Sequence, residues 1–394
     1  MATAGPFVAV VIEFYVPPSE TDEGVVRVAE TAYRPLLQAL EEERESAAVT
    51  VALDPALALR LLSCRQSGVL HAAAALAESG TVEFAAGSRN HALLPRLPRA
   101  EVDRQLEKGD ELMRELLGWS WRPKGLFPPA LAYGRRVAEA AAARGLRWLL
   151  LDEISLGRIG AAPTHFIATL GDGHELCLFF RSRDLSSAFL RSNGRTLRKH
   201  LESTLGDGYG VLVVPAESFT EGSQALQNLR WLLSRPGPMP ATVSALLPLF
   251  PERRRVEPIP ASRRTTGEDL AMGIPFSAWS SPDNELQALL WKLAALAWTE
   301  AARLAERSPD APETRRLRAN LDEGLHSAAF RQASSGAAFR PEAVRAAADR
   351  LSCAIESGGN LVSEEVRRKT ASAYQRLLRT LDERARAGDA PTPK

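Results

Sequence analysis

The chain has 394 residues, with 49 basic and 48 acidic side chains, a formal net charge of +1 and an average apolar content. This length can bury a large core in one big domain with a smaller appendage, and the balanced charge gives no general attraction for nucleic acid or an anionic membrane. Three widely separated cysteines without a Cys-x-x-Cys pair argue against a disulfide framework and a structural zinc site.

Seven short apolar runs predict strands that are buried on both faces. They lie at residues 7–14, 48–53, 81–85, 124–127, 147–152, 176–181 and 210–215. The first run has strand length, which is too short for a signal-peptide core or a membrane span, and no other run reaches spanning length. We therefore expect a cytoplasmic protein with no membrane partner and no nucleic-acid partner.

Helical patterns separate the strands. They lie at residues 22–43, 55–79, 100–117, 134–144, 185–205 and 221–234. This alternation predicts a parallel α/β domain, but composition does not distinguish an open doubly wound sheet from a closed barrel. Residues 171–173, Gly-Asp-Gly, predict a local hairpin leading into the sixth strand.

The remaining chain divides by composition into three predicted segments after a barrel-type domain at 1–235. Residues 236–282 are rich in proline and form a loop-rich connection, and 283–387 form a helical C-terminal domain. Leucines every three or four residues from Leu286 to Leu296 predict one apolar helix face. Residues 388–394 are short and polar, and we expect a disordered tail.

Residues 123–133, Pro-Lys-Gly-Leu-Phe-Pro-Pro-Ala-Leu-Ala-Tyr, resemble the third signature of the family-57 glycoside hydrolases. In that family a Gly-Phe-Trp-Pro-Pro-Glu type sequence ends a barrel strand, and its Glu attacks the sugar. Ala130 stands at the position of that nucleophile. Weaker matches, which keep the family's order along the chain, lie at residues 80–84 with 87–95, at 149–153, at 179–186, and at 276–279 with 282–285. The resemblance implies an incomplete parallel (β/α)7 barrel followed by an all-α C-terminal domain.

Two further signatures have lost their chemical groups. The family's opening His-Phe-His-Gln-Pro is Glu-Phe-Tyr-Val-Pro at residues 13–17, so Glu13 and Tyr15 replace both histidines. The fourth signature, Asp-x-Glu-x-Phe-Gly, is Pro-Ala-Glu-Ser-Phe-Thr here, with Pro215 in place of the general acid. Retaining hydrolysis needs two carboxyl groups about 5 Å apart. We therefore predict no catalytic residues by the family mechanism.

Other carboxylates at the same strand ends are candidates for a substitute pair, because the C-terminal ends of parallel barrel strands share one face. The substitute candidates are Glu13, Asp184 and Glu217. Glu13 is open to several interpretations: a base, a metal ligand, a hydrogen-bond partner of Tyr133, or half of an arginine ion pair. Asp152 and Glu153 are predicted to bind ligand hydroxyls or to pair with neighbours such as Arg181 and Arg183.

The resemblance also implies ligand-binding residues. The complete predicted set is His91, Phe127, Tyr133, Asp152, Glu153, Arg181, Trp279, Asp322 and His326. His91 keeps a family position and either contacts ligand, orients Glu13 or is structural. Asp322 and His326 are four residues apart, which predicts one helical face. Leu325 replaces a family tryptophan there, which weakens the case for glycan affinity.

Three aromatic residues, Phe127, Tyr133 and Trp279, are candidates to stack on sugar faces, with burial in the core as the alternative for Phe127 and Trp279. The other tryptophans are predicted to serve packing. They are Trp119, Trp121, Trp148, Trp231, Trp291 and Trp298. No ligand spacing supports a metal site, and no cofactor is predicted.

Three functions remain open from the sequence. The first is a catalytically inactive protein of carbohydrate metabolism that binds a glycan, such as an α-glucan, or regulates another glucan-metabolising enzyme. The second is an active glycosidase or glucanotransferase that uses the substitute carboxylates. The third is an interaction module without a sugar site.

Overall fold

The structure is a computed structural model that describes residues 5–170, 176–234 and 237–387. It contains two compact units, Met1–Arg89 with Leu94–Arg263, and Asn90–Leu93 with Arg264–Lys394. The predicted turn at 171–173 and the predicted disordered tail at 388–394 lie outside the described residues.

The first unit carries all seven predicted strands. Within the described residues the strands are β1 (Phe7–Phe14), β2 (Val49–Leu53), β3 (Val82–Phe84), β4 (Gly125–Leu126), β5 (Trp148–Asp152), β6 (Ile167–Thr169), β7 (Cys177–Arg181), β8 (Tyr209–Pro215), β9 (Met239–Pro240) and β10 (Arg253–Arg255). The short strands β6, β9 and β10 were not among the seven predicted runs, although β6 was expected as the first arm of the hairpin before β7. β6 does pair antiparallel with β7.

Strand pairing runs around a ring of seven parallel strands. β1 lies between β2 and β8, β2 pairs with β3, and β5 lies between β4 and β7. A parallel bridge from Ala86 to Leu126 links the β3 and β4 edges, and Arg181 pairs with Val211 to link β7 to β8. This arrangement confirms the predicted (β/α)7 barrel, one unit short of the common eight.

Helices surround this ring in chain order. They are α1 (Asp22–Val28), α2 (Arg34–Glu42), α3 (Pro55–Ser63), α4 (Ser67–Glu78), α5 (Arg99–Leu117), α6 (Arg135–Ala143), α7 (Arg183–Arg191), α8 (Gly194–Leu205), α9 (Gln224–Ser234) and α10 (Leu246–Leu249). A π-helix, Ala29–Tyr33, joins α1 to α2. The predicted helix at 55–79 is broken where Arg65 adopts a left-handed φ of 59°. The predicted helix at 185–205 is broken at Asn193, whose side chain caps α8.

Alternation along β1 places side chains in two separate cores. Val8, Val10 and Ile12 pack outward with the helices, whereas Ala9 and Val11 face the barrel interior. This division follows from the two-residue period of a strand, because successive side chains point to opposite faces. It fixes which residues at the end of β1 reach the barrel mouth.

The second unit is helical, as predicted. Its helices are α11 (Gly267–Ala271), α12 (Glu285–Arg307), α13 (Pro312–Gly324), α14 (Ser327–Gln332), α15 (Pro341–Ser357) and α16 (Glu364–Arg386). The last two helices are separated by a turn in which Gly359 has a φ of +52°. Among the described residues, no helix combines the length and apolar character that a membrane crossing requires.

Candidate functional site

The C-terminal ends of the parallel strands gather several of the predicted site residues. Glu13 on β1 is in register with Pro215 on β8, and Asp152 on β5 is in register with Arg181 on β7. In parallel barrels this face carries the active site, because the loops that follow the strands meet there. We call this end of the barrel the mouth.

Glu13 forms an ion pair with Arg263 across the mouth, with Arg263 Nη1 donating to Glu13 Oε2. The Glu13 side chain is 5% exposed and that of Arg263 is 22% exposed. Burial acts to lower the pKa of Arg263, but the adjacent Glu13 carboxylate outweighs it and raises that pKa. The arginine pairing predicted for Glu13 is therefore present, with a partner that the sequence did not identify.

Arg263 belongs to a segment, residues 259–263, that we call the strap. The Tyr133 N–H donates to the Ala261 carbonyl at 2.8 Å, and the Arg263 N–H donates to the Ala130 carbonyl at 2.9 Å. Both acceptor–donor pairs join the strap to the turn that follows β4. The strap is thus held by its backbone directly beside Ala130.

Two more strand ends contact the strap. The Ile259 N–H donates to the Ser155 carbonyl at 2.8 Å, after β5, and Arg183 Nη2 donates to the Ser262 carbonyl at 3.4 Å, after β7. With the Glu13 contact, the strap reaches the ends of four strands. The strap therefore crosses this end of the barrel and is anchored at each of these strand ends.

The turn at the nucleophile position has a rare backbone. Ala130 and Leu131 have φ values of 57° and 52°, and both side chains are buried. Left-handed conformations cost an L-residue about 1–2 kcal/mol each, so the surrounding structure must enforce them. The hydrogen bonds from the strap to this turn supply part of that enforcement.

Asp152 is fully buried and shared by two arginines. Arg183 Nε donates to Asp152 Oδ1 at 2.7 Å, and Arg181 Nη1 donates to Oδ2 at 3.3 Å. Burial lowers the pKa of Arg181, and Asp152 opposes that shift. The structure therefore shows the predicted pairing of Asp152 with arginines, in which both carboxylate oxygens are engaged.

Glu153 is buried and accepts two backbone hydrogen bonds. The Arg183 N–H donates to Oε1 at 2.9 Å, and the Gly160 N–H donates to Oε2 at 3.0 Å. Burial raises the pKa of Glu153, while these two donors oppose the shift. Its carboxylate fixes the loop after β5 to the start of α7.

Glu217 follows β8 and lies close enough to Glu13 for their charges to interact. Surrounding protein atoms and then the Glu13 carboxylate raise the pKa of Glu217, although the residue remains exposed to solvent. Tyr33, on the π-helix, is fully buried, and burial, followed by Glu217, Asp54 and Glu13, raises its pKa. Within the described chain, Glu13 Oε1 and the Tyr33 hydroxyl are buried without a hydrogen-bond partner.

Asp184 is not grouped with these residues. It lies in the first turn of α7 with its side chain 67% exposed, and its carboxylate pairs with His200 Nε2 of α8 at 2.5 Å. The carboxylate of Asp184 is therefore engaged with α8, and its role as a substitute acid stays a prediction. The side chain turns outward because α7 begins immediately after β7, which directs this position toward the outer helical layer.

The predicted stacking aromatics are enclosed. Phe127, Tyr133 and Trp279 are 5%, 3% and 3% exposed, and Phe127 packs in the barrel interior. The Trp279 carbonyl accepts the indole N–H of Trp291 at 2.9 Å in the helical unit. Burial, the alternative given for Phe127 and Trp279, describes the observed positions. By contrast, the assignment of Trp119 to packing is wrong, because Trp119 is 85% exposed.

The histidines of the second unit form a local pair. The rings of His91 and His326 stack with centroids 5.5 Å apart, and the His91 carbonyl accepts the Ser327 N–H at 3.1 Å. Asp322 and His326 do not share a helix face, because α13 ends at Gly324. His326 instead caps α14, with its Nδ1 accepting the Ala328 N–H at 3.2 Å. The expectation of one continuous face is therefore wrong.

A search of residues 5–170, 176–234 and 237–387 finds no group of three or more His, Cys, Asp or Glu side chains that could hold a metal ion. Two mouth residues were missed by sequence reasoning, Arg263 and Tyr33. Arg263 lies in a loop-rich stretch without a motif, and Tyr33 lies in an ordinary helical pattern. No local signal in the sequence identifies either residue.

Fold and strand-end chemistry together define a glycoside-hydrolase-like (β/α)7 barrel with an accompanying helical unit. Residues 8–190 match the family model described as Glycosyl hydrolase family 57. The chain thus resembles the family-57 glycoside hydrolases, as its motifs predicted. None of the curated protein sequences matches it.

Solved structures with the same fold include two branching enzymes. That of Thermococcus kodakaraensis, in complex with glucose and additives, is 16% identical with a TM-score of 0.73, covering 98% of this chain and 94% of the other. That of Pyrococcus horikoshii is 15% identical with a TM-score of 0.71, covering 96% and 94%.

A 4-alpha-glucanotransferase from Thermococcus litoralis is 16% identical with a TM-score of 0.70. The aligned region covers 89% of this chain and 60% of that protein. The TM-scores show a shared fold, and at these low identities the likeness shows the fold alone.

Proposed function

We propose that this protein is a noncatalytic relative of glucan-active enzymes that binds an α-glucan. One observation carries the noncatalytic part: Ala130 and Pro215 occupy the positions of the nucleophile and the general acid, and neither side chain can supply a carboxyl group. Arg263, paired with Glu13, lies beside Ala130 through the strap. Residues without a carboxyl group at both matched positions, together with a strap anchored beside Ala130, support a noncatalytic role.

The expected loss of rate is large. A general acid typically contributes about 10²–10⁴-fold, and removal of a nucleophile costs about as much as removal of the whole catalytic unit. Both losses together leave no route for the double displacement that retaining enzymes use. We therefore expect turnover at the level of the uncatalysed reaction.

The glucan part of the proposal rests on the fold. The branching enzymes and the glucanotransferase described above act on glucans by their names, and one of them was solved with glucose. A protein with such a fold can lose hydrolysis and keep sugar binding, because the groups that bind the sugar are distinct from the carboxyl groups that attack it. A regulatory contact with another glucan-metabolising enzyme is compatible with this role.

Calorimetric titration with maltooligosaccharides and glycogen, paired with product analysis after long incubation at high protein concentration, tests the proposal. Binding without products supports it. Glucosidase or transferase activity that is abolished by Glu217→Gln refutes the noncatalytic part. Absence of binding to every glucan refutes the ligand and favours an interaction module whose mouth is closed by the strap.

One observation favours a second candidate, an active glycosidase or glucanotransferase that uses Glu13 and Glu217. Glu217 has a raised pKa beside a carboxylate that is ion-paired, and this division between an acid and an anion is the one glycosidases use. The buried Glu13 Oε1 and Tyr33 hydroxyl also lack partners within the described residues, as groups at functional sites often do.

This candidate makes a contrasting prediction. Glu13→Gln and Glu217→Gln should each remove any measured activity, whereas Asp184→Asn, at the exposed α7 position, should leave it unchanged. Equal activity in all three variants and the unaltered protein would identify a contaminating enzyme and eliminate the second candidate.

A further inference from the structure

Trp119 is the most exposed of the large apolar side chains in the described chain. It is 85% exposed, compared with 56% for Met272 and 55% for Ile159. Tryptophan side chains are usually largely buried, because the indole presents a large apolar surface. An indole held almost entirely in solvent is a feature that the mouth and the proposed noncatalytic role do not account for.

The backbone around Trp119 is fixed on both sides. Trp119 lies in a short 3-10 turn, Gly118–Ser120, that begins after α5, and Gly118 has a φ of 56° that favours glycine. The Ser120 hydroxyl donates to Glu78 Oε1 at 2.9 Å. These constraints hold the turn against the end of α4. The position of the Trp119 backbone on the protein surface is therefore fixed by the fold.

Trp121 provides the second anchor. It is buried, its indole N–H donates to Asp110 Oδ1 at 2.7 Å, and its ring lies 5.6 Å from that of Phe84, centroid to centroid. Trp121 therefore anchors this segment in the core, whereas Trp119 lies in solvent. Because the backbone that carries Trp119 is already fixed, ligand binding does not have to order that backbone.

The residues next to Trp119 in sequence are polar where they reach solvent. Glu115, Arg122 and Lys124 are all exposed. A protein-docking hot spot is generally surrounded by further apolar contacts that exclude water, whereas the exposed residues within five positions of Trp119 in sequence are charged, apart from Gly118. An apolar ring face bordered by hydrogen-bonding groups matches a pyranose, which has C–H surfaces on its faces and hydroxyls at its edge.

The position of Trp119 separates it from the mouth. Trp119 precedes Gly125, the first residue of β4, and so lies at the end of the barrel where the strands begin. Glu13, Asp152 and Arg263 lie at the opposite ends of the strands. A ligand at Trp119 does not require the strap to move.

We propose that Trp119 is the stacking platform of a glucan-binding site at the strand-start face of the barrel. This inference rests on the proposed glucan-binding function and names the place where a chain of α-linked glucose units is held. Stacking along one sugar face selects an extended polysaccharide segment over a free monosaccharide, since a single indole makes few contacts with one ring.

Electrophoresis of the full chain through native gels that contain glycogen, with binding constants from tryptophan fluorescence titration using maltoheptaose, tests the site. We expect Trp119→Ala to weaken binding at least about tenfold, because its platform is removed. Trp119→Phe should keep binding within about threefold, since an aromatic face remains. Met272→Ala, a matched change at another exposed apolar residue, should bind as the unaltered protein does.

The outcomes separate the two proposals. If the unaltered protein binds glycogen and Trp119→Ala binds equally well, the Trp119 site is refuted and the glucan-binding function stands. If the unaltered protein binds no glucan, the proposed function itself is refuted. A change in oligomeric state on Trp119→Ala, with glycogen binding intact, overturns the sugar site in favour of contact between copies of the chain.

Discussion

Replacement of Arg263 by methionine tests the account of the mouth most directly. The variant leaves the Glu13 carboxylate, with its side chain 5% exposed, without its cationic partner. Loss of one partner of a buried ion pair costs about 3–5 kcal/mol, because an uncompensated charge remains. Since Arg263 is itself 22% exposed, we expect the lower end, about 3 kcal/mol.

Urea unfolding followed by circular dichroism measures this loss, with Arg230→Met as the matched control. Arg230 pairs with Glu42 at 3.1 Å, and both side chains are 44% exposed, so we expect a loss below about 1 kcal/mol. The double variant Glu13→Gln/Arg263→Met should recover part of the stability. If Arg263→Met lowers the free energy of unfolding by no more than Arg230→Met does, the Glu13–Arg263 pair does not stabilise the mouth as a buried ion pair.

Three further predictions concern neighbouring features. Asp152→Asn should destabilise the fold by about 3 kcal/mol in urea unfolding, because Arg181 and Arg183 both lose their shared anion. Burial raises the pKa of Glu217 in the folded state, so ionisation of Glu217 lowers the stability of the unaltered protein as the pH rises above the ordinary glutamate value. Glu217→Gln should therefore gain stability relative to the unaltered protein as the pH is raised from below that value toward neutrality, and a constant difference would contradict this. Gly118→Val should cost about 1–2 kcal/mol in thermal unfolding, since its φ is 56°.

Much of the barrel follows from local sequence. The seven apolar runs became strands because each is short, rich in β-formers and bounded by helical patterns, as parallel strands require. The short strands β9 and β10 carry no such signal: Met239–Pro240 is two residues long, and Arg253–Arg255 is entirely charged. Their pairing depends on neighbours distant in sequence. The helix breaks at Arg65 and Asn193 were missed for a local reason. At each position the conformation of one residue interrupts an apolar pattern that continues on both sides.

Less of the candidate site could be predicted from the sequence. Motif positions placed Glu13, Asp152 and Arg181 at the strand ends, and the predicted arginine pairing of Asp152 is observed. Arg263 could not be assigned, because its partner lies at the other end of the barrel unit in sequence and no spacing links them. The predicted domain boundaries, the ligand-binding roles and the loss of catalysis stay predictions.

The pairing of Arg263 with Glu13 also has a consequence for the order of folding. Their contact spans 250 residues of sequence, whereas β1 and β2 can pair as soon as the first helices have formed. Closing so long a loop comes late, since contacts of high sequence separation carry the largest entropic cost. During synthesis, the Glu13 carboxylate therefore lacks this partner until the 250 residues that separate it from Arg263 have been made. A nascent chain that stops before the strap leaves Glu13 without Arg263, and incompletely folded chains of this kind are prone to aggregate and depend on chaperones.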